Sequence, residues 1–308
     1  MDEDLNAYLP DKSAISPDDR VSASSSPDGT YSYKLIDNQY AAALLKPREA
    51  FSHKGTYGHA LIIAGERETM GAALLASKGC LYAGAGLTTA CIPESGLTAL
   101  NTSLPEVMYL SRDKIFDDIS FDKYNAVAIG PGMGTAPDAA VLLSHLVEIK
   151  KPVIADADAL NLLATNGMLM QILPKDSILT PHMKEFDRLF GVHETWYRRL
   201  QTARKKATEL GIVVVLKNQY TFIIDQEGRV HINTSGSPAM AQGGMGDVLT
   251  GVISAYLAQG YPAKDAAILG CFMHGMAGSE LAGGRFNVTA SEVAEYLPTV
   301  VKKYSKVR

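Results

Sequence analysis

Much that would assign this chain to a specialised class is missing. Its 308 residues hold only three cysteines, Cys80, Cys91 and Cys271, set far apart in apolar stretches and without a CxxC pair. That excludes a disulfide framework and a thiolate metal centre, and leaves them as reduced core residues. No run of about eighteen uninterrupted apolar residues occurs, which excludes a transmembrane helix. The acidic start MDEDLNAYLP lacks the apolar centre of a signal peptide. Positive charge is not in excess either: the net charge is −4 and the pI about 6.0. Such a chain has no broad basic field for a nucleic-acid backbone. The expectation is therefore a cytoplasmic protein with neither nucleic acid nor membrane as partner. Several catalytic spellings are absent too, among them GxxxxGK[ST], HExxH, GxSxG and a strand-adjacent GxGxxG with its downstream acid. No zinc site is expected, and an anionic ligand would need a local cradle.

What is present is the composition of a folded protein with a substantial core, 46% hydrophobic and 20% charged. Residues 1–43 read as a flexible tail or linker, because the stretch SPDDRVSASSSPDG is too polar to order itself. Residues 44–308 read as one domain. From Phe51 onward short apolar runs alternate with longer helical patterns, which predicts an α/β fold with a mostly parallel sheet in three layers. Strands are predicted at Leu61–Ala64, Leu87–Ile92, Ala126–Ile129, Val153–Ala155, Ile178–Leu179 and Ile212–Leu216. Tyr220–Ile224 and Val230–Asn233 read as an antiparallel hairpin at one edge of the sheet. Helices are predicted at Gly71–Ala83, Pro137–Glu148, Lys184–Phe190, Trp196–Leu210, Asp247–Gln259 and Ala263–Leu281, with a last one capped by Thr289 and Glu292.

The strongest chemical signal is SPAMAQGGMGDVLTGVISAYLAQG, a glycine-rich turn running into a helix with an amphipathic pattern. Gly243, Gly244 and Gly246 allow successive N–H groups to converge on one point at the positive end of that helix, which makes an anion site. Asp247 lies in the same turn, and taken alone it reads as an ordinary N-cap. GPGMG at Gly130–Gly134 reads as a strand-end turn whose bare backbone approaches a ligand at the carboxyl edge of the sheet. In DADALNLL, Asp156 and Asp158 read first as helix caps. His182 with Glu185, Lys217 after a strand, and the early HKGTYG each have a plain reading as a cap, a solvated charge and a surface turn. Their arrival at one sheet edge is what suggests a site.

In this order, HKGTYGHALIIAG, MGAALLASKGCLYAGAGLTT, AIGPGMG, IADADALNLL, ILTPHMKEF, VVVLKN and GSPAMAQGGMGDVLTGVI resemble the NAD(P)H-hydrate dehydratase family, over roughly Leu44 to Leu281. GxGD alone resembles only the wider ribokinase-like superfamily. The resemblance implies a ribokinase-like α/β/α sandwich. It also implies an activity, the nucleotide-dependent dehydration of the S-form of hydrated NADH or NADPH. Asp247 would act as general base on the C6 hydroxyl while that oxygen attacks the nucleotide's terminal phosphorus. The ring nitrogen would then expel phosphate. Ala72, Gly134, His182 and Asp247 match positions that touch the hydrated dinucleotide. Lys217, Asn218, Gln219, Tyr220 and Thr221, together with Gly243, Gly244, Met245 and Gly246, match segments that hold ADP or ATP. The implied cofactor is Mg²⁺, brought by the phosphates of ADP or ATP. The implied assembly is a homo-oligomer, with a tetramer frequent among family members.

The chain departs from the family's usual spelling in Asn218 for glycine, in HMKE for His-Pro-Gly-Glu and in GMGD for GTGD. Asn218 can still adopt the left-handed conformation of that glycine, and Met245 removes a hydroxyl near the phosphates while the backbone anion hole survives. The family is often fused behind an epimerase domain, so the Ser/Pro-rich start is also read as the linker of a bifunctional protein. Two other readings compete: a small-molecule hydroxymethyl kinase of the same superfamily, and a nucleotide-sensing module without turnover.

Overall fold

The computed structural model describes residues 15–16, 33–116 and 121–305. One sheet of eleven strands carries the chain. The first part contributes β1 (Ile15–Ser16), β2 (Tyr33–Leu35), α1 (Asn38–Leu44), β3 (His59–Ile63), α2 (Met70–Tyr82), β4 (Leu87–Ile92), α3 (Leu97–Ser103) and β5 (Met108–Ser111). The middle adds β6 (Ala126–Ile129), α4 (Pro137–Glu148), β7 (Val153–Ala155), α5 (Asp158–Thr165), α6 (Gly167–Gln171), β8 (Ile178–Leu179), α7 (Met183–Phe190) and α8 (Trp196–Leu210). The last part holds β9 (Val213–Leu216), β10 (Thr221–Ile224), β11 (Val230–Asn233), α9 (Met245–Ala258), α10 (Ala263–Leu281) and α11 (Ala290–Tyr304).

The strand order is β1-β2-β11-β10-β9-β8-β7-β6-β3-β4-β5, and every pairing is parallel except the two made by β10. Both faces are covered. On β3, Ala60 and Ile62 face a core built with α2, α9, α10 and α11, while Leu61 and Ile63 face a second core built with α4, α5, α7 and α8. Those four residues are wholly buried, as the continuous apolar run of a strand covered on both sides requires.

The chain leaves β3 for β4 and β5 on one side, then returns to β6 on the other. Order reverses there, and such a switch point opens a crevice at the carboxyl ends of the strands. The loops that follow β3 and β6 meet across it: the Gly65 N–H donates to the Pro131 carbonyl at 2.8 Å, and the Thr69 hydroxyl to the Gly132 carbonyl at 2.6 Å.

Three expectations are corrected. The hairpin β10–β11 is not at the sheet edge, because β2 pairs in parallel with β11 and β1 with β2. Residues 33–43, assigned to the tail, carry β2 and most of α1. Tyr33, Ile36 and Ala41 are buried, and the Asp37 side chain caps α1 by accepting from the Tyr40 N–H at 2.7 Å. The rest of the tail reading, residues 1–14 and 17–32, lies outside the described residues. Helix α9 is also less amphipathic than its spelling suggested. It is wedged between the sheet, α2 and α10, and most of its residues are buried.

Candidate active site

Asp247 stands in the third position of α9. The cap of that helix is Gly244, whose φ of 87° is the left-handed backbone a glycine adopts freely. An added Cβ there would also lie 2.5 Å from the Leu75 side chain. The reading of Asp247 as a cap is therefore set aside: Gly244 makes the turn, and the Asp247 carboxylate stays half-buried and without a hydrogen bond to any described residue. Burial first, then the Asp156 carboxylate, push its pKa up to about 7; Lys217 pulls it down and Asp158 adds to the rise. A carboxylate tuned there is suited to take a proton near neutral pH.

Lys217 lies just past β9, where its N–H donates to the Pro181 carbonyl and it bridges in register to His182. Its ammonium donates to Asp156 Oδ1 at 2.9 Å, and Asp156 Oδ2 accepts from the Thr250 hydroxyl at 2.8 Å. Burial works against the Lys217 charge, but the carboxylates of Asp156, Glu185 and Asp247 outweigh it and hold the ammonium above its ordinary range. Lys217 is thus no solvated surface charge.

Asp156 and Asp158 do not cap α5. Between them Ala157 has φ 49° and ψ −115°, a strained conformation for a residue with a Cβ. That turn sends Asp156 to Lys217, while Asp158 Oδ2 accepts from the Gly134 N–H at 2.9 Å. Gly130, Gly132 and Gly134 all have positive φ, and a Cβ on Gly130 would lie 1.8 Å from the Asp156 carbonyl oxygen. The GPGMG turn is thus moulded onto the Asp156–Asp158 segment. Ala72, in the first turn of α2, borders it, since a Cβ on Gly132 would lie 2.9 Å from the Ala72 methyl.

His182 caps α7 in a reciprocal box. Its Nδ1 accepts from the N–H groups of Lys184 and Glu185 at 3.1 and 3.2 Å, and its own N–H donates to Glu185 Oε2 at 2.8 Å. The plain reading of Glu185 as part of a cap agrees with this geometry. With Nδ1 engaged as acceptor, a neutral ring carries its proton on Nε2. The HMKE spelling therefore keeps the cap.

An open groove of about 660 Å³ adjoins α9 and Lys217. Lys217 to Thr221 form one wall, Asn233 to Ser237 another, and Met245, Gly246 and Leu249 reach it from α9. Two departures from the family's spelling lie here. Asn218 is absent from the residues with positive φ, so the loop accepts it without the left-handed turn. Met245 packs against the core on the sheet and also borders the groove. Residues that sequence reasoning left out include Thr250 and Arg112. Arg112 is buried just beyond β5, where it donates to the Ala64 carbonyl at 2.7 Å and to the Gly65 carbonyl and Glu66, fixing the loop after β3.

The family model described as NAD(P)H-hydrate dehydratase matches residues 60–299. The chain belongs to that family. Among the family's members, the ADP-dependent (S)-NAD(P)H-hydrate dehydratase of Lactiplantibacillus plantarum is 32% identical over 279 residues, 88% of this chain and 98% of the relative. The bifunctional NAD(P)H-hydrate repair enzyme of Moorella thermoacetica is 37% identical over 288 residues, 88% of this chain and 54% of the relative. The chain thus spans about half the length of such bifunctional relatives. A Bacillus subtilis ADP/ATP-dependent NAD(P)H-hydrate dehydratase, co-crystallised with ATP and Mg²⁺, superposes with a TM-score of 0.78 at 33% identity, covering 87% of this chain and 98% of that one. A ribokinase-like protein of Enterococcus faecalis reaches 0.82 at 27% identity, covering 89% and 96%. The expected ribokinase-like architecture of the dehydratase family is therefore the observed one.

Proposed function

We propose that the chain dehydrates the S-form of hydrated NADH or NADPH, spending the terminal phosphate of ADP or ATP and releasing inorganic phosphate with AMP or ADP. The observation that carries this reading is the half-buried Asp247 carboxylate, which has no hydrogen bond to a described residue and whose pKa burial raises to about 7 beside Asp156 and Lys217. We read the crevice, with Ala72, Gly134 and His182, as one ligand site and the groove of Lys217 to Thr221 as the other. The hydrated dinucleotide would occupy the crevice and the nucleotide the groove, with the N–H groups of Gly243, Gly244, Met245 and Gly246 turned to its phosphates. Asp247 takes the proton of the C6 hydroxyl as that oxygen bonds to the terminal phosphorus and the bond to the leaving AMP or ADP breaks. The ring nitrogen's lone pair then expels phosphate as the C6–O bond breaks, and loss of the C5 proton restores the double bond. Backbone amides and Lys217 stabilise the charge that develops on the transferred group.

Among the described residues no three His, Cys, Asp or Glu side chains gather as a metal cage. Mg²⁺ would accordingly be held by the nucleotide's phosphates, where it shields their charge. No described helix is long and apolar enough to cross a membrane, which is consistent with a cytoplasmic enzyme acting on small molecules. Met168 and Ile172, exposed one helical turn apart, would suit a contact in a homo-oligomer or tetramer, which light scattering would reveal.

The test is absorbance at 340 nm when protein, Mg²⁺ and ADP or ATP meet chemically hydrated NADH. A nucleotide-dependent rise is expected, lost by about 10²-fold or more in Asp247→Asn. A flat trace with both donors would move the reading to a hydroxymethyl kinase.

A further inference from the structure

His274 lies on α10, is only 8% exposed, and lines the same groove as Lys217 to Thr221. Its Nε2 is sealed from solvent and has no hydrogen-bond partner among the described residues. Leaving a buried polar group unmatched is costly, and nearly all such groups in folded proteins are paired. Two other histidines of this chain obey that rule, and His231, whose buried ring nitrogens also lack a hydrogen bond, lies outside the groove with its Nε2 3.7 Å from the Asp225 carboxylate. His193 is bound through both ring nitrogens, to Asp187 and Thr202, and His59 to Thr89. On the same groove the Asn233 and Ser235 side chains are already engaged. Asn233 Nδ2 donates to the Ser235 and Cys271 carbonyls, and the Ser235 hydroxyl donates its one proton to Asn233 Oδ1 at 2.8 Å, with the Phe272 carbonyl as the alternative acceptor at 3.3 Å.

We infer that His274 is a ligand-contacting residue whose imidazole takes from the bound nucleotide the hydrogen-bond partner that the protein does not give it. The inference rests on the nucleotide reading of the groove. Burial, with the nearby Lys217 ammonium, pushes the His274 pKa down to about 4. The ring is therefore neutral at physiological pH, with one donor and one acceptor nitrogen. It can meet a hydroxyl, a base edge or a phosphate oxygen without adding charge to a groove that already holds Lys217. Among the described residues no group hydrogen-bonds its Nε2, so the ligand is free to set the tautomer and the flip.

The test is calorimetric titration of the full chain with ADP and Mg²⁺, which does not depend on turnover. In His274→Leu the ADP affinity should fall about 5–10-fold, while the KM for hydrated NADH stays unchanged. The ligand-free melting temperature should stay level or rise, because an unmatched polar group has been removed; a histidine kept for structure would give the opposite. His274→Phe, which keeps a flat ring without nitrogens, should behave alike and serves if the leucine variant does not fold. Inorganic pyrophosphate as a second probe locates the contact: weakening with ADP alone puts it on the nucleoside, and weakening with both puts it on the phosphates. Variants that bind ADP as well as the wild type overturn the inference. A wild-type chain that binds neither ADP nor ATP overturns the nucleotide reading along with it.

Discussion

Asp156 and Asp247 both act on one ammonium, that of Lys217, but only Asp156 is hydrogen-bonded to it. The repulsion left between the two carboxylates adds to burial in raising Asp247 to about 7. Turnover should thus be lost as pH falls through about 7 and reach its plateau above it. In Asp156→Asn that repulsion is gone, so the inflection in kcat against pH should move to lower pH. The plateau should drop as well, because the base is weaker. Breaking the pair should also cost about 3 kcal/mol in urea denaturation, since it leaves a partly buried ammonium without its closest counter-charge. The same tuning sets a stability slope. The folded value of Asp247 lies above its unfolded value of 3.8, so its contribution to stability is complete below that pH and lost as pH rises through about 7. None of this was legible in DADALNLL, where aspartates flanking a helix start look like caps. What distinguishes them is the backbone twist at Ala157, and an alanine carries no sequence signal for positive φ.

Helix α9 delivers Asp247, and α2 delivers Ala72. The two helices cross so closely that a Cβ on Gly251 would lie 1.9 Å from the Ala76 carbonyl oxygen, and one on Gly79 would lie 2.5 Å from that of Val248. Both obstacles are backbone, which cannot swing aside. Gly251→Ala should therefore destabilise the chain by about 3 kcal/mol, with a lower kcat because Asp247 moves relative to Ala72. Gly71→Ala, where a methyl meets nothing within 4 Å, is the control and should leave the melting temperature equal or higher. The elements that sequence patterning found are those with a long apolar run or a clear period, such as β4, β6, α4 and α8. It missed β1, β2, α1, β5, α3 and α6. Each is short, and β5 is a half-exposed edge strand whose MYLS has no continuous apolar face. The glycine-rich turn before α9 was plain because only its backbone matters there. The groove wall contributed by α10 was not, since His274 sits in a helix otherwise spelled as core.

At the level of the whole molecule the sheet extends beyond the span of the family model, because β1, β2 and α1 all precede residue 60. A chain lacking residues 1–36 would leave β11 as an open edge and remove buried Tyr33 and Ile36. It should melt several degrees lower and aggregate on heating, followed by scanning calorimetry and light scattering. The sheet's single reversed strand has a further effect. Because β10 runs against its neighbours, the loop after β9 and the loop after β11 both emerge at the carboxyl edge and become facing walls of one groove. The hairpin tip, Gln226 to Gly228, is carried to the opposite edge of the sheet. That separation makes the tip a handle: a dye, an affinity tag or an inserted reporter placed there lengthens the chain on the edge opposite the groove and leaves the register of its walls unchanged.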